Sequence, residues 1–154
     1  MKIPAYDYAL TILSYNPKTI SMMRTTLLTK WYELKETDKA IGKLTEQWYL
    51  DDYQFCKAYF VSEVINKGKS VNAIKTKMYE KGMPPDITKA VLIELDEEII
   101  ESSSENLAKE IQKMHSMWDD LVKIYEKLTR KGHRYDDIKK ALEYIKAKKE
   151  ASTR

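Results

Sequence analysis

The sequence has few of the residues that interrupt helices and no stretch long enough to cross a membrane. Its 154 residues include only four glycines and four prolines. No run approaches the roughly 20 apolar residues of a membrane span. The single cysteine, Cys56, cannot form an internal disulfide, which is typical of a reducing compartment. The opening residues, Met1 to Asp7, lack the apolar run of a secretory signal. We therefore expect a cytoplasmic protein.

The abundant residues favour helix. Charged side chains make up 33% of the sequence, and Lys, Glu, Leu, Ile and Ala are good helix formers. Eleven tyrosines and three tryptophans give more apolar surface than a disordered chain carries. The length suffices for one domain with a hydrophobic core. The composition predicts an all-α fold, and the net charge of +3 is too small to indicate a nucleic-acid-binding protein by itself.

Two landmarks recur three times along the chain. Lys30, Lys81 and Lys131 are 51 and 50 residues apart, and each lies in a similar short segment. A following Lys-Ala-aliphatic element places its alanines, at 40, 90 and 141, 50 and 51 residues apart. This period predicts tandem repeats of three helices each, at 1–46, 47–97 and 98–148, with a flexible tail at 149–154. Because one such unit buries little surface, the three repeats should stack into an elongated curved body.

Caps and breakers suggest where the helices begin and end. Asn16-Pro17 has the pattern of a helix start, and Ser102 with Glu105 has the spacing of a capping box. Ser70 can cap the helix that follows Gly68. The repeated Lys-Gly favours a helix end, because glycine accepts the left-handed conformation and a cation suits the last turn. Further boundaries are predicted at Pro85 and Asp137.

The residues that could carry chemistry have simpler explanations. Cys56 shares a face with Phe55, Tyr59 and Phe60 and is interpreted as a core residue. Asp51 and Asp52 are adjacent, so they point apart on a helix and are interpreted as N-caps. The two histidines, at 115 and 133, have no metal ligands at suitable spacing, and no glycine-rich phosphate loop is present. We expect neither an enzyme nor a cofactor or metal.

Basic residues cluster in two places. Residues 67–81 carry five lysines against one acid, and residues 123–134 carry five cations against one acid. Such clusters can contact a phosphate backbone or an acidic protein surface, although solvated helix faces would look the same. Equivalent positions in repeats two and three suggest an interrupted basic track. The candidate contact residues are Lys75, Lys77, Lys81, Lys123, Lys127, Arg130, Lys131 and Arg134.

Three motifs resemble the RecX family, whose members consist of tandem three-helix repeats. Its Leu-Asp-Asp element, followed by Phe, a small residue and an aromatic pair, is similar to residues 50–60. The glycine, helix and Lys-Gly-aliphatic end of the family resemble 68–83. Its basic pair, glycine, aromatic and aliphatic helix resemble 130–138, with His133 where an aromatic is usual. In the first repeat, Trp31 replaces the family's glycine and Asn16 replaces an arginine. The resemblance spans residues 8–145.

The resemblance implies a function that the residues alone do not supply. RecX proteins bind RecA filaments on DNA, in the groove of the filament, and usually reduce its ATP hydrolysis, strand exchange and co-protease activity. The implied partners are the RecA filament and the DNA within it, with weak binding to DNA alone, no membrane, and a monomeric chain. A helical nucleic-acid-binding module, or a protein scaffold that acts on no recombinase, is the alternative.

Overall fold

The computed structural model describes residues 2–116 and 121–152, apart from the side chains of residues 115, 116, 121 and 149. Within these ranges the secondary structure is entirely helical, as the composition predicts. A π-helical stretch, Val61–Asn66, continues directly from the fourth α-helix. The α-helices are α1 Ala5–Tyr15, α2 Ile20–Thr29, α3 Leu34–Glu46, α4 Asp52–Phe60, α5 Val71–Glu80, α6 Pro85–Glu94, α7 Asp96–Ser116, α8 Leu121–Arg130 and α9 Tyr135–Ser152.

Four of the predicted helix boundaries are confirmed. The hydroxyl of Ser70 accepts a hydrogen bond from the backbone N–H of Ala73 at 3.2 Å and so caps α5. α6 begins at Pro85, where a missing N–H costs nothing. Gly82 and Gly132 follow α5 and α8 with φ of 72° and 94°. These left-handed residues end both helices, as the repeated Lys-Gly predicts.

Two predicted helix starts are wrong. α2 begins at Ile20, and Thr19 is its N-cap, accepting from the N–H of Met22 at 3.0 Å. The pattern at residues 16 and 17 therefore precedes the helix by several residues. Ser102 lies inside α7, where its hydroxyl donates to the carbonyl of Ile99. α7 instead begins at Asp96, because three acidic residues in its first turn favour a helix start there. The last helix begins at Tyr135, two residues before the predicted start, and runs to Ser152.

The chain divides into two compact units. The first comprises Met1–Ala58 and Lys77–Val91. In it α1, α2 and α3 surround a core to which Leu50 also contributes, and Tyr32 anchors the N-terminal segment by donating its hydroxyl to the carbonyl of Ile3 at 2.8 Å. The core residues are Ala5, Ala9, Met23, Leu27, Tyr32, Ala40, Ile41, Leu44 and Leu50.

The second unit comprises Tyr59–Thr76 and Leu92–Arg154. Its core lies between α7, α8 and α9, and α7 also packs against the π-helical stretch. Asn106 on α7 donates to the carbonyl of Ile65 at 3.4 Å, which ties α7 to the end of that stretch. The core residues are Leu107, Ala108, Ile111, Ile124, Leu128, Ile138, Ala141 and Ile145.

Buried positions recur at the spacing seen in the sequence. Ala5, Cys56 and Leu107 are each at most 3% exposed and are 51 residues apart. The same spacing relates buried Ala9, Phe60 and Ile111, and spacings of 51 and 50 relate buried Leu27, Met78 and Leu128. Residues related by this spacing are therefore buried in each of the three segments.

Candidate functional site

The first basic cluster lies on α5 and the turn that ends it. Lys75 and Lys77 are exposed, whereas Lys81 is half-buried. The ammonium of Lys77 lies 3.9 Å from the carboxylate of Glu80, a loose pair on the helix surface that holds neither side chain firmly. Lys75 belongs to the second unit, whereas Lys77 and Lys81 belong to the first. Lys77 is thus available to an anionic partner on the first unit, whereas Lys81 is less exposed.

The second basic cluster lies on α8 and the turn to α9, wholly within the second unit. Lys123, Lys127 and Arg130 are exposed on α8, while Ile124 and Leu128 of the same helix are buried. α8 therefore has an apolar side that faces the core and a basic side that faces solvent. A guanidinium nitrogen of Arg130 lies 3.9 Å from the carboxylate of Glu126.

The turn from α8 to α9 adds Lys131 and Arg134. The ammonium of Lys131 pairs with the carboxylate of Glu110 on α7, so part of its charge is already neutralised. Arg134 is exposed immediately before α9. The two residues have different surroundings, and Arg134 is the better placed of them to meet an external anion.

Lys75 and Arg134 come together at one cavity of the second unit. The cavity has a volume of about 290 Å³ and also meets His133, Asp96 and Asp137. Burial lowers the pKa of His133 below its ordinary value, with the carboxylate of Glu110 acting in the opposite direction. His133 is therefore mostly neutral at pH 7, and the lysine and the arginine are the cations of this cavity.

The remaining candidates of the sequence have structural roles. Cys56 is buried, as predicted, with its sulfur 3.9 Å from the hydroxyl of Thr88, and burial raises the pKa of its thiol. Asp51 caps α4 by accepting from the N–H of Gln54 at 3.2 Å. Among the residues that the structure describes, no group of three His, Cys, Asp or Glu side chains could hold a metal ion; the His115 side chain lies outside them.

Sequence reasoning missed the role of Asp52. Its carboxylate accepts from the backbone N–H of Ile20 at 2.9 Å and caps α2 rather than its own helix. Burial raises the pKa of Asp52, while the hydrogen bond from Ile20 acts to lower it. The sequence offered one signal for this role. Asp51 and Asp52 are adjacent carboxylates, and the start of α4 needs only one of them as a cap.

Two exposed tryptophans in the first unit were also missed. Trp31 and Trp48 are 88% and 80% exposed, with φ of 67° and 65°. A large side chain is uncommon in the left-handed region. Trp31 occupies the position at which the other two segments have glycine. This difference in the sequence was the signal that a tryptophan would lie in the left-handed turn after α2.

In the part of the chain described, these features define an all-helical protein with exposed basic faces and structural roles for its cysteine and its paired aspartates. Its fold matches the crystal structure of RecX from Lactobacillus salivarius, with a TM-score of 0.78 and 25% sequence identity, over 93% of this chain and 95% of that one. The chain belongs to the RecX family.

Sequence relatives point to the same family. A protein named Regulatory protein RecX from Clostridium botulinum (strain Eklund 17B / Type B) is 30% identical over 142 residues, 89% of this chain and 66% of the relative. A protein of the same name from Clostridium tetani is 29% identical over 139 residues, which are 87% of this chain and 63% of the relative. The chain thus spans just under two thirds of the length of these relatives. No family model matches the sequence.

A second solved structure, a crystal structure of regulatory protein RecX, has the same fold. Its TM-score is 0.72 at 23% identity, over 93% of this chain and 70% of that chain. No helix in the described ranges has the length and apolarity that a membrane crossing requires.

Proposed function

We propose that this protein regulates a RecA recombinase by binding the RecA filament on DNA. It lies in the groove of the filament and reduces ATP hydrolysis, strand exchange and co-protease activity. The observation that carries the proposal is the match to the RecX fold over 95% of the Lactobacillus salivarius chain. The sequence relatives, which are named as regulatory proteins, support it.

The basic residues support a partner that contains DNA. Lys123, Lys127 and Arg130 project from the side of α8 that faces away from the core. A groove formed by protein and a phosphate backbone offers such cations a complementary charge. With a net charge of +3, the chain should bind DNA weakly on its own, so most of the affinity comes from the recombinase.

We further propose that three stacked repeats form an elongated curved body suited to a groove. The recurrence of buried positions at 50 or 51 residues supports this arrangement. The helix ends recur in the same way, which also supports tandem repeats. The N–H groups of Tyr32, Met83 and His133 each donate to the carbonyl five residues earlier. Small-angle scattering tests the shape, because a compact sphere gives a different distance distribution.

The test of function is the DNA-dependent ATP hydrolysis of the recombinase from the same organism. The full chain, added well below one per recombinase subunit, should slow hydrolysis, since one protein in the groove affects many subunits. The chain alone should hydrolyse no nucleotide and need no metal. An unchanged rate at saturating protein would contradict the proposal.

Co-sedimentation separates the proposal from its alternatives. At physiological salt the chain should sediment with filaments and remain in solution with naked DNA. Binding to naked DNA that accounts for all of the effect, with a steep dependence on salt, would indicate a nucleic-acid-binding module instead. Binding to neither would indicate a scaffold for another protein.

A further inference from the structure

Two helix starts, one in each unit, share the same capping arrangement. α2 follows the cap Thr19, and α5 follows Ser70, 51 residues later. The hydroxyl of Thr19 accepts from the N–H three residues ahead at 3.0 Å, and that of Ser70 does so at 3.2 Å. Each hydroxyl also donates to the carbonyl of the lysine that follows a later helix, Lys81 at 2.8 Å and Lys131 at 2.9 Å. The surroundings of the two starts can therefore be compared residue by residue.

At the start of α2, a carboxylate satisfies the first helical N–H. Asp52 is only 7% exposed, and its Oδ1 accepts from the N–H of Ile20 at 2.9 Å. An anion is favoured here because the unpaired N–H groups of a helix start carry a partial positive charge. The first unit thus supplies this anion itself, from the side chain of Asp52.

At the start of α5, the carboxylate is missing. Val71 is equivalent to Ile20, and the residue equivalent to Asp52 is Ser103. The register is secure, because Cys56 and Leu107, each four residues further on, are both buried. In the described part of the chain, the N–H of Val71 has no hydrogen-bond acceptor. The second unit therefore has the same start without its anion.

A cavity lies beside the start of α5, at the position equivalent to that of the Asp52 carboxylate in the first unit. Its volume is about 290 Å³, and Ser70, Val71 and Ser103 line it, whereas a water molecule needs only about 10–15 Å³ of such space. The cavity can therefore admit a group larger than the carboxylate of an aspartate side chain.

The charges around the cavity are mixed. Lys75 and Arg134 line it as cations, and Asp96 and Asp137 line it as anions. Each of these aspartates lies in the first turn of its own helix, α7 or α9, where that helix favours its charge. The lysine and the arginine remain to balance an entering anion, and the arginine can bind two of its oxygens at once.

We propose that this cavity binds a phosphate group, in the position that the carboxylate of Asp52 occupies in the first unit. The free N–H of Val71, the hydroxyl of Ser103, and the two cations contact its oxygens. The phosphate comes either from a nucleic-acid backbone or from free phosphate. The proposal does not depend on the action on a recombinase, because it concerns binding to the chain alone.

The test measures the melting temperature of the full chain as inorganic phosphate replaces chloride at constant ionic strength. For the parent, phosphate at about ten times its dissociation constant should raise the melting temperature by about 3–5 °C. In Ser103→Asp, a built-in carboxylate takes the position. This variant should melt higher without phosphate and should not respond to it. Arg134→Gln and Lys75→Gln should each bind phosphate several-fold more weakly, as phosphorus NMR line broadening can measure.

Ser102→Asp is the matched control. It adds the same charge to the same helix at a residue that does not line the cavity, so it should keep the response of the parent. A parent that melts no higher in phosphate than in chloride would overturn the proposal, as would equal responses from both aspartate variants. A short single-stranded DNA that displaces phosphate identifies a backbone phosphate as the source; phosphate binding that DNA does not disturb identifies free phosphate.

Discussion

The hydroxyl of Thr19 donates a hydrogen bond of 2.8 Å to the backbone carbonyl of Lys81, across 62 positions of the chain. The same hydroxyl accepts from the N–H of Met22 at 3.0 Å, and Thr19 is fully buried. One side chain therefore caps the start of α2 and also satisfies a carbonyl at the end of α5. Ser70 does both for α5 and α8.

Removing either hydroxyl should destabilise the protein. Thr19→Ala loses a cap, which costs about 0.5–2 kcal/mol. It also removes the hydrogen bond to the carbonyl of Lys81, so we expect a loss near the upper end of that range. Thr19→Ser keeps the hydroxyl and should lose far less. Urea unfolding of both variants measures the difference, and equal losses would show that the methyl group, rather than the hydrogen bonds, matters.

The left-handed glycines should not tolerate a side chain. A Cβ at Gly82 would lie 2.5 Å from the Cβ of Ser21, and one at Gly132 would lie 2.7 Å from the hydroxyl of Ser70. Both residues also have positive φ. Alanine at either position should lower the free energy of unfolding by about 1–3 kcal/mol. Alanine at Gly42, where nothing would lie within 4 Å of a Cβ, is the control and should not destabilise α3.

The opposite substitution at Trp31 should stabilise the first unit. Trp31 has a φ of 67°, and an L-residue in this conformation costs about 1–2 kcal/mol. Trp31→Gly should therefore raise the free energy of unfolding by about 1 kcal/mol. Trp31→Ala keeps the unfavourable backbone and should not gain. If glycine fails to stabilise, the exposed indole must contribute interactions that offset the strain.

The helical class and most helix ends were predictable because they depend on local chemistry. As helix boundaries, Ser70, Gly82 and Pro85 act within one turn, so their residue types alone indicate where a helix begins or ends. Asp52 was not predictable in the same way, because its partner Ile20 lies 32 residues away. For the candidate site, exposure of the cations followed from the apolar pattern of α8, whereas the meeting of Lys75 and Arg134 at one cavity depends on packing between distant helices.

Glu63 should make stability depend on pH in the acid range. Its carboxylate lies 2.6 Å from the ammonium of Lys69 and 3.0 Å from that of Lys67. Hydrogen bonds from Lys69 and then Lys67 hold the pKa of Glu63 below its ordinary value. Because the pKa of Glu63 is lower in the folded state than in the unfolded state, its ionised carboxylate stabilises the fold at pH values above the unfolded-state pKa. That stabilisation is lost as the pH falls through the folded-state pKa.

Glu63→Gln should therefore be less stable than the parent at pH 7, and the difference should shrink as the pH falls below the ordinary range of a glutamate. Chemical unfolding at a series of pH values measures this. Glu143→Gln, which removes an exposed carboxylate of α9, should give no such trend. A difference that stays constant down to low pH would mean that Glu63 acts through packing rather than charge.

The exposed side of α8 is where the filament interface can be tested most cleanly. Lys127 and Arg130 are exposed there, and Arg130 makes only a loose pair at 3.9 Å. Exposed charges contribute little to stability, so Lys127→Glu with Arg130→Glu should melt close to the parent. If both cations contact phosphates, the double variant should bind filaments at least several-fold more weakly. Its binding should also depend less on salt, with a slope lower by about 2.

A second double variant controls for net charge. Lys35→Glu with Lys39→Glu changes the charge by the same amount on exposed residues of α3, and it should inhibit the recombinase like the parent. Equal weakening of the two variants would mean that overall charge, and not the α8 face, sets the affinity. If the α8 variant melts normally and still inhibits like the parent, these cations are solvated helix surface. The interface must then be sought elsewhere, while membership of the family, which depends on fold and sequence, is unaffected.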